Sequence, residues 1–154
     1  MESVFDGAKI VITLAQYFAG KPHTVDHEYA ANDLLRRVEA LWMDYTNETG
    51  HKSYVDPDTG TEISGSKGGA GDGGFRLATA TTGRLMSSHK EGKGIDRYDP
   101  REELDDWLDE FEGSKGHNTM LEKHGLYREA PQSTPGWTHL QTRPTKSGKR
   151  TFIP

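Results

Sequence analysis

Apolar residues recur every three or four positions in two stretches of the first fifty residues. The first stretch predicts an amphipathic helix over residues 4–20 that ends near Gly20. The second predicts a longer helix that begins at an Asp26 N-cap and stops before Gly50. The buried stripe of this longer helix is expected to contain Leu34, Leu35, Val38, Leu41, Trp42 and Tyr45.

From residue 55 to residue 74 the apolar pattern gives way to turn residues. Residues 56–60, with the sequence Asp-Pro-Asp-Thr-Gly, predict a turn, and Ile63 predicts the start of a short strand. Residues 64–74 are dominated by glycine and predict a loop. This loop does not match a phosphate-binding loop, because glycines follow Lys67 where that motif needs Ser or Thr at the start of a helix.

Short helices and strands are predicted in the second half of the chain. The apolar spacing indicates a helix over residues 102–112 and a further helical turn near residues 120–123. Strands are predicted over residues 126–129 and 137–142, and alternation in the second of these puts His139 mid-strand on one face. The predicted fold class is α+β, with helices packed on a small, mainly antiparallel sheet.

Composition limits the range of functions. The chain of 154 residues is expected to form a single domain, with residues 1–28 as an N-terminal helical extension. Only 32% of the residues are hydrophobic and 18 are glycine, which favours a small core with long loops. The formal net charge of −5 argues against nucleic acid as a partner. Since no long uninterrupted apolar run occurs, we expect neither membrane insertion nor a signal peptide.

Two separated segments carry a candidate metal site. His89 and Asp96 flank a bend in which Gly92 and Gly94 allow a tight turn, and His139 follows 43 residues after Asp96. The chain has no cysteine, so a zinc site would have to use histidine and carboxylate ligands. Catalytic zinc takes three protein ligands and keeps one position open, and these three side chains would meet that requirement.

The motif Ser-x-His-x-x-Gly-x-x-x-Asp over residues 87–96, followed by Trp-x-His over residues 137–139, resembles that of a group of zinc peptidases. This group includes D-Ala-D-Ala carboxypeptidases and dipeptidases and phage L-alanyl-D-glutamate endopeptidases, and hedgehog signalling domains have a similar metal site. Residues 73–76, Gly-Gly-Phe-Arg, are similar to the Ser-Gly-Tyr-Arg element of the group. The phage branch is the most similar, and the resemblance covers about residues 30–154.

This resemblance implies roles for four residues. His89, Asp96 and His139 would bind zinc, in a site carried by the sheet, and Arg76 would contact the substrate or the negative charge that develops on it. Ser87 is a candidate for orienting a ligand imidazole, because metal-bound histidines usually have their other ring nitrogen held. One departure from the usual motif is Gly94, since members of the group have alanine at this position, two residues before the aspartate.

A second departure concerns the general base. Many members of the group carry a glutamate three residues before the last histidine, where this chain has Gly136. Glu129 is the first candidate to replace it, because a turn could bring it close to the strand of His139. His124 and Glu91 remain alternatives.

The resemblance predicts a zinc metallopeptidase that hydrolyses a peptide bond in the stem peptides of bacterial peptidoglycan, for phage lysis or wall penetration. Such a protein is expected to be a monomer, made in the host cytoplasm without a signal peptide and active at the cell wall, free or within a virion. Gly136 keeps a second hypothesis open, a non-catalytic zinc-containing module of the same fold that binds peptidoglycan or a protein partner.

Overall fold

The computed structural model describes residues 12–50, 54–55, 62–63, 73–79, 87–99 and 101–154. The predicted turn at residues 56–60 and parts of the predicted first helix and glycine-rich loop lie outside these ranges. The α-helices are α1 (Leu14–Phe18), α2 (Val25–Thr49), α3 (Glu103–Asp109) and α4 (Thr119–Lys123). The strands are β1 (Tyr54–Val55), β2 (Glu62–Ile63), β3 (Gly94–Tyr98), β4 (Tyr127–Glu129), β5 (Trp137–Gln141) and β6 (Thr151–Phe152). Short 3-10 helices cover Ser88–Glu91, Ser114–Gly116 and Pro131–Ser133.

The long helix α2 confirms the second predicted helix, but its N-cap is Thr24 rather than Asp26. The Thr24 hydroxyl accepts a hydrogen bond from the backbone N–H of His27 at 3.2 Å, which leaves Asp26 in the first turn, where the helix dipole favours a carboxylate. The helix ends at Gly50, whose φ of +79° suits glycine. Among the described residues, no helix is both long and apolar enough to span a membrane.

Strands β3 to β6 form one sheet in the order β3-β5-β4-β6. Strands β3 and β4 both pair antiparallel with β5, and β6 pairs parallel with β4. Strands β1 and β2 form a separate antiparallel pair. The predicted α+β class is therefore confirmed, with a sheet that is mostly antiparallel.

The pairing of β3 with β5 determines which side chains meet. Asp96 lies directly opposite His139, and its neighbour Ile95 lies opposite Leu140. Because side chains alternate across a strand, Asp96 and His139 share one face, which we call the histidine face. Ile95 and Leu140 lie on the other face and are fully buried in the core.

The N-terminal segment packs into the same core from Ile12 onward. Tyr17 is fully buried, and its hydroxyl donates a hydrogen bond to the carbonyl oxygen of Gly94 at 2.8 Å. Phe18 lies against Phe75, with ring centroids 5.1 Å apart. Helix α1 therefore helps to position both the start of β3 and the segment around Phe75, which border the candidate site.

Helix α3 is shorter than the predicted helix over residues 102–112 and is capped from outside. The side chain of Asp99, just after β3, accepts hydrogen bonds from the backbone N–H groups of Leu104 at 3.3 Å and Asp105 at 3.1 Å. It also accepts one from the Thr138 hydroxyl at 3.1 Å. A single carboxylate thus ties α3 to both strands of the central pair, since buried acceptors need such partners.

A buried arginine on the core side of the sheet joins β4 to α3. The Arg128 side chain is only 1% exposed, and its guanidinium donates to Asp105 at 2.9 Å and to Glu112 at 3.1 Å. The same group also pairs with Asp109. Because Glu129 follows directly, this network holds the strand that presents it.

Candidate metal centre

Two imidazoles and one carboxylate converge on the histidine face of the sheet. Asp96 Oδ1 lies 2.9 Å from His139 Nδ1 and 3.2 Å from His89 Nε2. One ligand atom from each of these residues lies within 4.8 Å of the other two. The structure therefore brings the three predicted ligands together, and the group could hold a metal ion.

The spacing of these atoms suits a divalent cation. Metal–ligand bonds of about 2.0–2.2 Å in tetrahedral geometry place ligand atoms roughly 3.3–3.6 Å apart. The two separations that involve Asp96, 2.9 and 3.2 Å, lie just below this range. A movement of these side chains apart by a few tenths of an ångström would therefore make room for the ion. Imidazole and carboxylate donors are the ligands of first-row transition metals, and three protein ligands leave one position open.

His89 is presented by the 3-10 helix that begins at Ser88. Ser87 caps this helix, because its hydroxyl accepts a hydrogen bond from the backbone N–H of His89 at 3.3 Å. The outer ring nitrogen, His89 Nδ1, lies 2.8 Å from the carbonyl oxygen of Gly74 and therefore donates to it. The prediction that Ser87 orients a ligand imidazole is wrong, because Gly74 holds this ring and Ser87 caps the backbone.

His139 is presented by β5, and its two ring nitrogens have the reverse roles of those of His89. Its outer nitrogen, Nε2, lies 2.7 Å from Oε1 of Gln141 and 3.3 Å from Oγ of Ser88. Its inner nitrogen, Nδ1, faces Asp96. Both rings therefore have partners on the side away from the centre, which is the usual arrangement for metal-bound imidazoles.

The charges at the centre favour a cation. Burial by itself raises the pKa of Asp96, but hydrogen bonds from His139 and His89 hold that pKa well below its usual range. Burial lowers the pKa of His139, and the neighbouring carboxylates of Asp96 and Glu129 outweigh this effect and raise it. The ionised carboxylate thus draws positive charge to the point between the rings, as protons or as one metal ion.

Arg76 borders the centre beside an open cavity. Its backbone N–H donates to the carbonyl oxygen of His89 at 3.2 Å, and its guanidinium donates to Asp96 Oδ2 at 3.2 Å. A cavity of about 320 Å³ is lined by Arg76 and Asp96, with Pro135 and Trp137 among its other walls. The predicted substrate-contacting arginine therefore lies between the candidate ligands and a space of the size that small ligands occupy.

Glu129 lies on the histidine face, one strand away from the ligands. Tyr127 pairs with Gln141 in the antiparallel register, so the position two residues later on β4 lies beside His139 on β5. Alternation puts Glu129 and His139 on the same side of the sheet. The contribution of Glu129 to the raised pKa of His139 agrees with this placement.

The two alternative general-base candidates are engaged in other ion pairs. His124 Nε2 lies 2.7 Å from Asp44 Oδ2 on α2. Glu91 Oε1 accepts a hydrogen bond from Arg143 at 2.6 Å. Of the three candidates, Glu129 is the one that the sheet places beside a predicted metal ligand.

Gly136 serves the turn that leads into β5. Its φ is +79°, and its carbonyl oxygen accepts a hydrogen bond from the backbone N–H of Asp99 at 2.9 Å. A glutamate there would adopt the left-handed conformation at a cost of about 1–2 kcal/mol. The backbone of this turn therefore disfavours the residue that many of the resembling peptidases carry at this position.

The other departure from the motif, Gly94, has a packing reason. A Cβ atom built on Gly94 would overlap Ser88 Oγ and lie 3.1 Å from the backbone nitrogen of His89. The absence of a side chain thus allows the 3-10 helix to pack directly on β3. This close approach brings His89 against Asp96.

We expect Gly94→Ala to lower the free energy of unfolding by about 1–3 kcal/mol, because the added methyl group pushes the 3-10 helix away from β3. Urea denaturation measures the effect. Gly113→Ala is a matched control, since the φ of Gly113 is −102° and a Cβ there would lie 3.5 Å from the carbonyl oxygen of His117, an ordinary contact. Equal stability of the Gly94 variant and the wild type would contradict the close packing.

Two groups that hold the ligand rings are not among the residues predicted from the sequence. Gln141 has a signal, because strand alternation puts it on the same face as His139, two residues later. The carbonyl group of Gly74 has none, since every residue carries a carbonyl group and only the path of the chain brings this one to His89.

Comparisons of the chain with protein-family models, with curated proteins and with solved structures found no match. A function for the protein must therefore be inferred from the metal-binding group, its surroundings and the motif that carries it.

Proposed function

We propose that the protein is a zinc-dependent peptidase that hydrolyses a peptide bond in the stem peptides of bacterial peptidoglycan, in phage lysis or wall penetration. The convergence of His89, Asp96 and His139 beside an open cavity is the observation that carries this proposal. Zinc favours such a mixture of imidazole and carboxylate ligands, and catalytic zinc sites keep one position open. Peptidoglycan as the substrate follows from the motif resemblance over residues 73–76, 87–96 and 137–139.

Zinc bound here would supply a Lewis acid that polarises the scissile carbonyl group and makes water more acidic. We assign Glu129 as the general base, which takes a proton from the attacking water and passes it to the leaving amine. Its position beside His139 brings a carboxylate to the histidine face from β4. The protein would thereby obtain its general base from a neighbouring strand, in place of the glutamate that many of the resembling peptidases carry at the position of Gly136.

Arg76 is assigned to the substrate. Its side chain is 10% exposed, is held by Asp96 and lines the cavity. A guanidinium in this place donates hydrogen bonds to a substrate carboxylate, or to a carbonyl oxygen as negative charge develops on it. Stem peptides of peptidoglycan carry carboxylate groups, which are suitable acceptors for this guanidinium.

Incubation of the zinc-loaded protein with purified muropeptides, followed by mass spectrometry, tests the proposal. We expect two products whose summed mass exceeds that of the substrate by one water. Chelation of zinc should stop their formation, and added zinc should restore it. If the zinc-loaded protein leaves cross-linked and uncross-linked muropeptides of every stem length intact, it is not a peptidoglycan peptidase.

Glu129→Gln should lower kcat about 10²- to 10⁴-fold while zinc remains bound, because a general base contributes a factor of that size and Gln cannot accept the proton. Turnover of the same muropeptides and zinc content per chain are the measurements. Glu122→Gln, an exposed position on α4, removes the same charge and should keep wild-type turnover. Unchanged kcat in the Glu129 variant would assign the proton transfer to another group.

A second candidate function is a non-catalytic zinc-containing module that binds peptidoglycan or a protein partner. Gly136 favours it, because a glycine replaces the general base of the peptidases that the motif resembles. The muropeptide experiment separates the two functions, since muropeptides that bind to the wild-type protein without being cut would support the module.

A further inference from the structure

We propose that Gln141 is a positioning residue that fixes the orientation and tautomer of His139, so that Nδ1 is the nitrogen presented to a metal ion. The inference rests on the proposed metal site but does not require that the site be catalytic. Gln141 is 4% exposed, lies at the end of β5 and shares the histidine face. Its side chain is shielded from solvent and has two hydrogen-bond partners, His139 and the backbone of Arg143.

The orientation of the Gln141 amide follows from its second partner. Its Nε2 atom lies 2.7 Å from the backbone carbonyl oxygen of Arg143. A carbonyl oxygen only accepts hydrogen bonds, so the NH₂ group must face Arg143 and the amide oxygen must face His139. A flipped amide would place its oxygen against the carbonyl oxygen of Arg143, so that two acceptors would face each other.

The amide oxygen then determines which nitrogen of His139 carries the hydrogen. Oε1 of Gln141 lies 2.7 Å from His139 Nε2 and, as an acceptor, requires an N–H there. The contact of Ser88 Oγ with the same nitrogen is longer, at 3.3 Å, and therefore weaker. With its hydrogen kept on Nε2, the ring would coordinate a metal ion through Nδ1, the nitrogen that faces Asp96 Oδ1 at 2.9 Å.

The backbone that orients Gln141 is connected to the element that carries the other histidine. The side chain of Arg143 donates a hydrogen bond to Glu91 Oε1 at 2.6 Å. Glu91 ends the 3-10 helix that presents His89. Gln141 thus lies in a chain of contacts that runs from one ligand element to the other, and it makes the last contact, with His139.

Zinc affinity in matched variants tests this role. Gln141→Met keeps the length of the side chain but removes the acceptor oxygen, and we expect its zinc dissociation constant to rise about 10- to 100-fold. Gln141→Glu keeps an acceptor toward His139 but loses the donor to the Arg143 carbonyl oxygen, so its dissociation constant should rise less than that of Gln141→Met. Gln132→Met, exposed on the 3-10 helix Pro131–Ser133, is the control and should bind zinc like the wild type. Competition with a chelator of known affinity gives the constants.

Nitrogen-15 NMR of the His139 ring gives a readout that a purely structural role would not change. In the zinc-loaded wild type we expect the ring hydrogen on Nε2. In zinc-loaded Gln141→Met, the Nε2 hydrogen loses its acceptor and should exchange with solvent faster than in the wild type.

Zinc binding by Gln141→Met at wild-type affinity, or a ring hydrogen on Nδ1 in the zinc-loaded wild type, would overturn the inference. If Gln141→Met does not fold, the position of the ring hydrogen in the zinc-loaded wild type decides. The inference and the proposed function can fail separately. Zinc binding without muropeptide cleavage contradicts only the peptidase, whereas cleavage by a protein whose Gln141→Met variant binds zinc like the wild type contradicts only the inference. A wild type that binds no zinc contradicts both.

Discussion

We expect His139→Ala to lower the zinc affinity of the protein about 100- to 1,000-fold. Zinc sites in small domains supply apparent binding free energies of about 10–16 kcal/mol, so one ligand among three or four accounts for roughly 3–4 kcal/mol. Since about 1.4 kcal/mol corresponds to a factor of ten, this is two to three orders of magnitude. The substitution leaves Asp96 with His89 as its remaining imidazole partner.

Elemental analysis after dialysis should find close to one zinc per chain in the wild type and little in the variant. Thermal melting gives a second measurement, because zinc at about 100 times its dissociation constant stabilises the wild type by about 2.7 kcal/mol and the variant far less. His117→Ala, at an exposed position, is the control. Retention of zinc in the His139 variant, with loss in the control, would place the metal elsewhere.

Arg128→Met should lower the free energy of unfolding by about 3–5 kcal/mol, the usual cost of removing one partner from a buried ion network. The side chains of Arg128 and Asp105 are 1% and 2% exposed, so the substitution strands a carboxylate away from water. Glu112, 24% exposed, loses the same partner. Met occupies a similar volume, which limits any additional cost from a cavity.

Urea denaturation of the metal-free protein measures this loss without any contribution from zinc. Lys146→Met removes the same charge from an exposed position and should change stability by less than about 0.5 kcal/mol. Adding Asp105→Asn to the Arg128 variant should recover part of the loss, since no buried charge then remains at that position. A decrease of less than 1 kcal/mol in the single variant would mean that water or other groups compensate for the missing guanidinium.

The Arg128 network also bears on the candidate site. Arg128 lies on the core face of β4, and the next residue, Glu129, lies on the histidine face. Loss of the network should therefore disturb the base as well as the fold. The Glu129→Gln variant separates these effects, because it leaves the network intact.

Local patterns were sufficient to predict several elements. Helix α2 follows from its apolar spacing, and its end follows from Gly50, because glycine adopts the left-handed cap conformation without strain. Alternation correctly placed His139 within β5. These features depend on residues within a few positions of one another, so a single sequence contains them.

Element ends were harder to predict where several nearby residues could serve the same purpose. Thr24 and Asp26 are both good N-cap residues, and the helix uses Thr24, whose hydroxyl reaches the backbone N–H of His27. Helix α3 ends at Asp109, before the predicted end at residue 112. Glu112 bonds Arg128 instead of continuing the helix.

The types and spacing of His89, Asp96 and His139 were enough to nominate them as ligands, but their meeting depends on the pairing of β3 with β5. The groups that support them depend on folding still more. A backbone carbonyl such as that of Gly74 is the same at every residue, and the acidic partners of Arg128 lie 16 to 23 residues away in the chain. Such contacts leave no local pattern, because they arise from the path and register that the packing of the whole core selects.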